Sequence, residues 1–425
     1  MPYVFQNTGD WNGNDGSWST FAIQIGTPPQ TLKVQMSTSG TQIAAIAPEG
    51  CGSGDSVDCR KLRGEFFNYN DSTTYVPNLS NISSSIYHLG VASKLGYTGK
   101  GRFGFDDVTL GWQGSGGPTV KNQTVAGIAT KDFYMGWFGL NPRPNNFTDF
   151  NHPIPSFMQN IRNQSMIPSL SWGYTAGNRY RSEMVQGSVV LGGYDAARFI
   201  PSNVTFNLGS TYDLGVQLRA ITTNNSISLH PHPVQIALDS TVPHLYLPNA
   251  TCDLFETEFG LVYNETSRFY WLNETQHAAL LTKNPSVEFT LSAQGSTQEV
   301  KITLPYAAFD LAASAPLAPT PTYYFPLRRA VDESQYLLGR AFFQEAYLIA
   351  DYDRGNFSIH QCNWQPTSQS LIVALHPPTN ATTSGNHPKK ISTGALSGAV
   401  AGAAAVVIIA CVLLHIFCWK PRQVR

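Results

Sequence analysis

The chain has 425 residues, of which 42% are hydrophobic and 12% aromatic, enough to form a large buried core. Only 13% are charged and the formal net charge is -1, which excludes the broad basic surface typical of nucleic-acid-binding proteins. We therefore expect no nucleic-acid partner. Since Asn, Ser, Thr, Gln and Gly supply most of the polarity, something other than charge must contribute to solubility.

The chain begins without a recognisable targeting segment. Residues 1–6 lack the basic stretch and following apolar run of a signal peptide. Because the other end of the chain indicates a membrane protein, we expect a signal peptide to be missing from this start.

Strand patterns dominate residues 15–363. Short apolar and β-branched runs alternate with clusters of Gly, Asn, Pro and Ser, which is typical of strands and turns. In chain order, the clearest runs are at residues 20–25, 32–36, 188–191, 234–238 and 346–350. Helical periodicity is sparse, with one short candidate at residues 155–162. The pattern predicts a large, mostly β protein.

Two features recur in the same order in each half. A strand runs into a hydroxyl-rich turn, Ser-Thr-Ser-Gly at 37–40 and Asp-Ser-Thr-Val at 239–242. Further along, each half has two apolar residues followed by Gly, at 134–136 and 337–339. This weak repeat predicts two similar β lobes, which we assign to residues 1–192 and 193–364.

The end of the chain predicts a stalk and a membrane anchor. Residues 365–392 are rich in Pro, Ser, Thr and Asn, which is typical of a stalk. No charged residue occurs from Ile391 to Trp419, and a helix over 394–417 would be about 36 Å long, enough to cross a bilayer. We predict a single transmembrane helix at 393–418 and a short basic cytosolic tail at 419–425. Glycines at 394, 398 and 402 lie on one face of that helix and suggest a homodimer packed through it.

Thirteen Asn-x-Ser/Thr sequons indicate a glycosylated protein whose bulk lies outside the cell. We therefore predict a location at the plasma membrane or cell surface. The predicted acceptors are Asn70, Asn78, Asn81, Asn122, Asn146, Asn163, Asn203, Asn224, Asn249, Asn264, Asn273, Asn356 and Asn380.

Four cysteines precede the predicted anchor. None belongs to a C-x-x-C pair, so we expect no metal site. An even number in a glycosylated chain favours two disulfides, Cys51–Cys59 and Cys252–Cys362, with free buried thiols as the alternative.

Several motifs, taken together, resemble the pepsin-like aspartic protease family. The strand and turn at 21–30 are similar to the opening of that fold, and residues 187–195 to the strand that links its lobes. Residues 236–248 resemble the second catalytic strand and loop, and 337–353 the closing motif. The resemblance covers about 350 residues and implies a bilobal β fold without a cofactor.

The same resemblance casts doubt on catalysis. The family reaction needs two aspartates that share a proton across a bound water, and each sits in an Asp-Thr/Ser-Gly turn. Asp239 matches the second aspartate, whereas Ser37 stands at the position of the first. The supporting hydroxyls are retained as Thr38 and Ser240, but both glycines are replaced, by Ser39 and by Thr241, whose branched side chain would crowd the water site.

The flap that covers the family's cleft carries a tyrosine. One alignment places Lys94 at that position, and an alignment with a short deletion places Tyr97 there, so Tyr97 is a candidate. His244 is the histidine nearest in sequence to Asp239, and we interpret it as an ordinary loop residue beside Pro243.

Three functions are compatible with these features. The first is a membrane-anchored glycoprotein with an impaired protease ectodomain that binds an extended polypeptide or a cell-wall ligand. The second is an active endopeptidase working at acidic pH, with Asp106 or Asp107 as guesses for the second carboxylate. The third is a structural or adhesion glycoprotein.

Overall fold

The computed structural model describes residues 1–79, 84–147, 152–365 and 369–378. The strands up to residue 207 are β1 (Tyr3–Val4), β2 (Asn7–Asn12), β3 (Trp18–Ile25), β4 (Gln30–Ser37), β5 (Ile43–Ile46), β6 (Val76–Pro77), β7 (Ile86–His88), β8 (Lys100–Leu110), β9 (Thr119–Ile128), β10 (Gly136–Gly139), β11 (Ser171–Asn178), β12 (Val185–Leu191), β13 (Gly193–Asp195), β14 (Phe199–Ile200) and β15 (Thr205–Asn207).

The later strands are β16 (Gly215–Thr223), β17 (Val234–Leu238), β18 (Leu245–Leu247), β19 (Tyr263–Asn264), β20 (Phe269–Trp271), β21 (Ser286–Ser292), β22 (Glu299–Pro305), β23 (Leu311–Ala313), β24 (Thr322–Phe325), β25 (Leu327–Arg329), β26 (Leu337–Leu338), β27 (Ala346–Asp351), β28 (Asn356–Cys362) and β29 (Ile372–Ala374). The α-helices of the described residues are α1 (Cys59–Leu62), α2 (Phe157–Asn163), α3 (Asn249–Phe259) and α4 (Glu274–Lys283).

Three large sheets carry the fold. The first has the order β2-β3-β4-β10-β5-β9-β8-β6, with β7 also on β8, and the second has the order β22-β21-β16-β17-β26-β18-β25. The third, β1-β12-β11-β27-β28-β14 with β15 on β28, takes strands from both halves of the chain. The predicted mostly β class is confirmed, and the arrangement is consistent with a bilobal pepsin-like fold. The lobe boundaries at 1–192 and 193–364 stay predictions.

In each half, the strand that leads into the hydroxyl-rich turn pairs with a parallel strand. Strand β4 pairs with β10 so that Ser37 lies opposite Gly139, and β17 pairs with β26 so that Leu238 lies opposite Leu338. A Cβ on Gly139 would lie 2.4 Å from the Gly40 carbonyl oxygen, and one on Gly339 would lie 2.2 Å from the His244 carbonyl oxygen. Glycine is therefore needed where each strand meets its turn. The first member of the repeat is thus 137–139, three residues later than the predicted 134–136.

The predicted helix at 155–162 is observed as α2. Ser156 caps it: its Oγ accepts from the Gln159 amide, and the Gln159 side chain accepts from the Ser156 amide. Phe157, Met158 and Ile161 are buried against the main core. The cap at Ser156 therefore fixes where this helix begins, and its apolar face anchors it to the core.

The segment after residue 364 differs in part from the predicted stalk. Ile372–Ala374 forms β29, which pairs antiparallel with β13, and the compact unit extends to Pro377. The apolar, β-branched residues of this run suit a strand better than a solvated linker. The predicted anchor at 393–418 lies outside the described residues. Within the described part of the chain, no helix has the length and apolar character needed to span a membrane.

One predicted disulfide is present and the other is not. Cys51 and Cys59 are bonded across an eight-residue separation, whereas Cys252 and Cys362 are free, buried thiols. Cys252 lies in α3 with its Sγ near the Leu247 and Arg328 carbonyls, while Cys362 lies in β28 beside Thr175. The predicted Cys252–Cys362 bond is wrong, because Cys252 lies in helix α3, Cys362 lies in strand β28, and the two thiols contact different neighbours.

Most of the predicted glycosylation sites within the described residues are on the surface. Asn78 is the exception, with 1% of its surface exposed, so it is a poor acceptor as folded. Asn356 is partly exposed, and Asn81 and Asn380 lie outside the described residues. The exposed acceptors are Asn70, Asn122, Asn146, Asn163, Asn203, Asn224, Asn249, Asn264 and Asn273.

Candidate active site

The two hydroxyl-rich turns meet face to face. The Thr38 amide donates to Ser240 Oγ at 3.2 Å, and the Ser240 amide donates to Thr38 Oγ1 at 3.0 Å. The Ser240 hydroxyl donates to the Met36 carbonyl at 2.8 Å, and the Thr38 hydroxyl donates to the Leu238 carbonyl at 3.4 Å. Both side chains are fully buried. This reciprocal set of bonds joins the two halves of the chain directly beneath Ser37 and Asp239.

Ser37 and Asp239 lie on either side of Thr241. Thr241 Oγ1 is 2.5 Å from Ser37 Oγ and 2.6 Å from Asp239 Oδ1. The carboxylate also accepts from the Thr241 amide at 2.9 Å, and its other oxygen accepts from Ser39 Oγ at 2.7 Å. A protein hydroxyl therefore bridges the two positions.

The direction of these bonds follows from the donors available. Thr241 Oγ1 donates to Asp239 Oδ1, and a hydroxyl has only one proton to give. Thr241 must then accept from Ser37, whose Oγ in turn accepts from the Gly40 amide at 2.8 Å. The chain of donors runs from Ser37 through Thr241 to Asp239, and each hydroxyl proton is already engaged.

No second carboxylate contacts Asp239 among the described residues. Asp106 is buried and accepts from Thr74 Oγ1 at 2.6 Å, while Asp107 accepts from the Asn122 amide at 3.2 Å. Both lie on β8 and bind partners away from Asp239. The suggestion that either could complete a carboxylate pair is therefore wrong.

Comparison with known proteins places this geometry in a family. The sequence pattern of the eukaryotic aspartyl protease family matches residues 20–362. The chain belongs to the eukaryotic aspartyl protease family. It is 24% identical to secreted aspartic protease 4 of Candida albicans, over 83% of this chain and 78% of that protein. It is 22% identical to candidapepsin-3 of the same organism, over 83% of this chain and 81% of that protein.

The family resemblance assigns the flap to the hairpin of β7 and β8. Tyr87 pairs with Gly101 and His88 with Lys100, and the loop between the strands covers 89–99. Tyr97 packs on Phe133 with ring centroids 5.3 Å apart, and burial raises the pKa of its phenol well above 10. Lys94 lies nearer the tip, in the short 3₁₀ turn Ser93–Leu95. Tyr97 thus lies in the loop of this hairpin, where its ring packs on Phe133 and its hydroxyl is hydrogen-bonded to Tyr246.

The flap tip is bonded to the opposite half of the chain. Gln335 Nε2 donates to the Lys94 carbonyl at 2.5 Å, and the Val331 amide donates to Gln335 Oε1 at 2.8 Å. The Lys94 ammonium lies 5.8 Å from the centre of the Tyr212 ring. Leu95 packs with a small apolar cluster from the second half that includes Leu337. We call this set of contacts the flap latch.

The flap latch divides the cleft into two cavities, and Leu95 lines both. The larger, of about 1050 Å³, extends from Thr241 beneath Tyr97. The smaller, of about 370 Å³, contains Ser39 and Asp239. Leu95 therefore forms part of the wall of both cavities.

Sequence reasoning missed two residues at this site. Arg340 follows Gly339 in the closing motif, is 3% exposed, and donates to the Ser240 carbonyl at 3.0 Å and the Thr241 carbonyl at 2.7 Å. His244 lies in the loop before β18, as interpreted from the sequence, but it is 2% exposed and lines the larger cavity, which the sequence did not indicate. A charged residue directly after the apolar Leu-Leu-Gly run at 337–339 is the sequence feature that could have identified Arg340 as part of the site.

Proposed function

We propose that this chain is a membrane-anchored glycoprotein of the aspartyl protease family with greatly reduced peptide hydrolysis, whose cleft binds polypeptide. The observation that carries the proposal is the Thr241 hydroxyl bridging Ser37 and Asp239. Hydrolysis in this family needs a water held between two carboxylates, one acting as general base and the other as general acid. Here the Ser37 hydroxyl stands where the family has one of the two carboxylates, and the Thr241 side chain lies between Ser37 and Asp239.

Ser37 offers no replacement for the lost base. A serine acts in catalysis only when a neighbouring base takes its proton. Ser37 is fully buried and donates to Thr241, and none of its hydrogen bonds within the described residues involves a histidine. The flap latch further supports low turnover, because its contacts must break before the flap can move away from the opposite half of the chain.

The test is a cleavage assay combined with a binding assay. We expect the purified full-length chain to bind a denatured, labelled protein at about pH 3–5 without releasing peptides over many hours. Asp239→Asn serves as the matched control, because it removes the remaining carboxylate with little change in shape. Cleavage that an aspartic protease inhibitor blocks, and that disappears in Asp239→Asn, would show an active enzyme instead.

An active acid endopeptidase remains the second candidate. Asp239 and the Thr38–Ser240 bonds are retained, and the relatives are named as aspartic proteases. That candidate requires the flap latch to open and a second carboxylate to reach Asp239. Its signature would be the inhibitor-sensitive cleavage described above.

The anchor and the glycans form a separate part of the proposal. Support comes from the uncharged run at 391–419 and from the many exposed sequon asparagines. We expect deletion of residues 394–417 to release the protein into the medium, and endoglycosidase treatment to lower its apparent mass. Retention of the deleted form in the membrane fraction would argue against the anchor, and an unchanged mass would argue against the glycans.

A further inference from the structure

The larger cavity contains a buried histidine without a partner. Both ring nitrogens of His244 are buried and make no hydrogen bond within the described residues. The ring packs edge-on against Phe269 at 5.5 Å and lies tilted against Tyr324 at 5.7 Å. Buried polar groups in folded proteins nearly always have a partner. An unpaired imidazole at a cavity wall therefore points to a partner supplied from outside the chain.

Two guanidinium groups converge on the same place. Arg328 lies 3.8 Å above the Phe269 ring, which His244 also contacts, and Arg340 lies 5.1 Å from the Trp18 ring. Burial, followed by the positive charges of Arg328 and Arg340, lowers the pKa of His244 well below 6.5. The imidazole is therefore neutral and can donate one hydrogen bond to a ligand.

Neither arginine is neutralised by a carboxylate. Arg328 donates through Nη1 to the backbone carbonyls of Ser267 and Arg268, and Arg340 donates to two carbonyls of the catalytic loop. Arg328 Nε and Arg340 Nη1 are buried and lack a partner, and neither side chain forms an ion pair within the described residues. Burying a charge without a counter-charge is costly. The two groups therefore form a site that favours an anion.

The other charges around this cavity are already engaged or lie at its rim. Arg329 is paired with Glu256 at 2.6 Å. Asp132 accepts from the Thr98 amide at 2.7 Å, and Asp15 accepts from the Trp18 indole at 2.7 Å. Lys131 is paired with Asp55, and Glu265 and Arg268 are exposed. Asp15 and Asp132 keep their negative charges, but both carboxylates already accept hydrogen bonds. Arg328 and Arg340, beside His244, have no carboxylate partner within the described residues.

We propose that His244, Arg328 and Arg340 bind a carboxylate group of a polypeptide ligand. The proposal rests on the proposed function, in which the cleft binds polypeptide, and it adds the chemical group that is recognised. A planar guanidinium fork matches a carboxylate. The cavity volume of about 1050 Å³ is at the upper end of the roughly 300–1,000 Å³ typical of ligand sites. The carboxylate comes from an acidic side chain or from the end of a chain.

Fluorescence anisotropy with short labelled peptides tests the proposal and separates these two sources. The probes share one apolar sequence and differ in one residue and in the C-terminus: Asp with an amide, Asn with an amide, and Asn with a free carboxylate. We expect at least one carboxylate probe to bind the full-length chain about tenfold or more tightly than the neutral probe.

Two variants assign that preference to the site. Arg328→Gln and His244→Phe should reduce it to about twofold or less, and His244→Phe keeps the aromatic packing. Arg219→Gln is the matched control, because it removes one partly exposed arginine that is paired with Glu299 away from this cavity. It should leave the preference unchanged.

The outcomes separate this inference from the proposed function. Equal binding of all three probes would overturn the carboxylate site while leaving the polypeptide cleft intact. A preference that survives both Arg328→Gln and His244→Phe would also overturn it, because the anion would then bind elsewhere. Failure of every probe to bind would overturn both.

Discussion

At the scale of single residues, the site differs from an aspartic protease by a few side-chain atoms. The family resemblance predicts an aspartate at the position of Ser37 and glycines at the positions of Ser39 and Thr241. These hydroxyls do not leave a gap, because they satisfy Asp239 and one another. The hydroxyls of Ser37, Ser39 and Thr241 thus form a hydrogen-bond network around Asp239 that holds the two turns together.

This network predicts how activity can be restored. Ser37→Asp combined with Ser39→Gly and Thr241→Gly should give acid-dependent, inhibitor-sensitive cleavage at least about 100-fold above the parent chain, since general acid–base catalysis contributes about 10²–10⁴-fold. Release of peptides from a denatured protein measures the gain. Adding Asp239→Asn should abolish it. A folded triple variant that neither cleaves nor binds inhibitor would mean that the cleft itself has been remodelled.

At the scale of elements, the flap and the segment around Gln335 act as one unit. The 3₁₀ turn Ser93–Leu95 on one side meets the 3₁₀ turn Glu333–Gln335 on the other. A single glutamine connects them, since its amide donates to the flap while its carbonyl accepts from the Val331 amide. One side-chain hydrogen bond, together with the apolar packing of Leu95, therefore joins the flap to the opposite half of the chain.

Removing that contact should loosen the flap. In Gln335→Ala, we expect hydrogen exchange of the amides at 89–99 to become several-fold faster, because one net hydrogen bond contributes about 0.5–1.5 kcal/mol. Gln294→Ala, at an exposed position away from the flap, is the control and should exchange like the parent. Unchanged protection at 89–99 would show that the apolar contacts of Leu95 hold the flap without Gln335.

At the scale of the whole molecule, buried histidines make the free energy of unfolding depend on pH. Burial lowers the pKa of His230 to about 4 and that of His360 to about 4. His360 Nδ1 accepts from the Ser202 amide at 2.9 Å, so protonation would place a donor against a donor. Such residues must stay neutral for the fold to keep its packing.

The free energy of unfolding should therefore fall as the pH falls from about 6.5 to about 4. Between those values the unfolded chain binds more protons than the folded chain, so acid favours unfolding. Burial raises the pKa of Glu345, which has the opposite effect for that one group. Denaturant titrations across this range measure the slope. His230→Gln with His360→Gln should reduce it, whereas His376→Gln, at an exposed site, should not. A stability that rises in acid would contradict the expectation.

The local sequence determined the fold class, the family, one helix and one disulfide of this protein. Alternating apolar runs and Gly-rich turns gave the mostly β class, and the motifs from 21–30 to 337–353 gave the family, because both depend on residues close together in the chain. The serine at position 37 was visible in the same way. The capped helix at Ser156 and the Cys51–Cys59 bond also depend on near neighbours.

Contacts between distant residues decided the rest. Only the fold shows that Thr241 bridges Ser37 and Asp239 across about 200 positions, that Gln335 holds the flap, and that Cys252 and Cys362 lie apart. The same holds for His244 and Arg328, which are brought to one ring, Phe269, by separate strands and loops. The spacing of such groups in the sequence does not predict the distance between them in space, because the sheets that bring them together form from strands far apart in the chain.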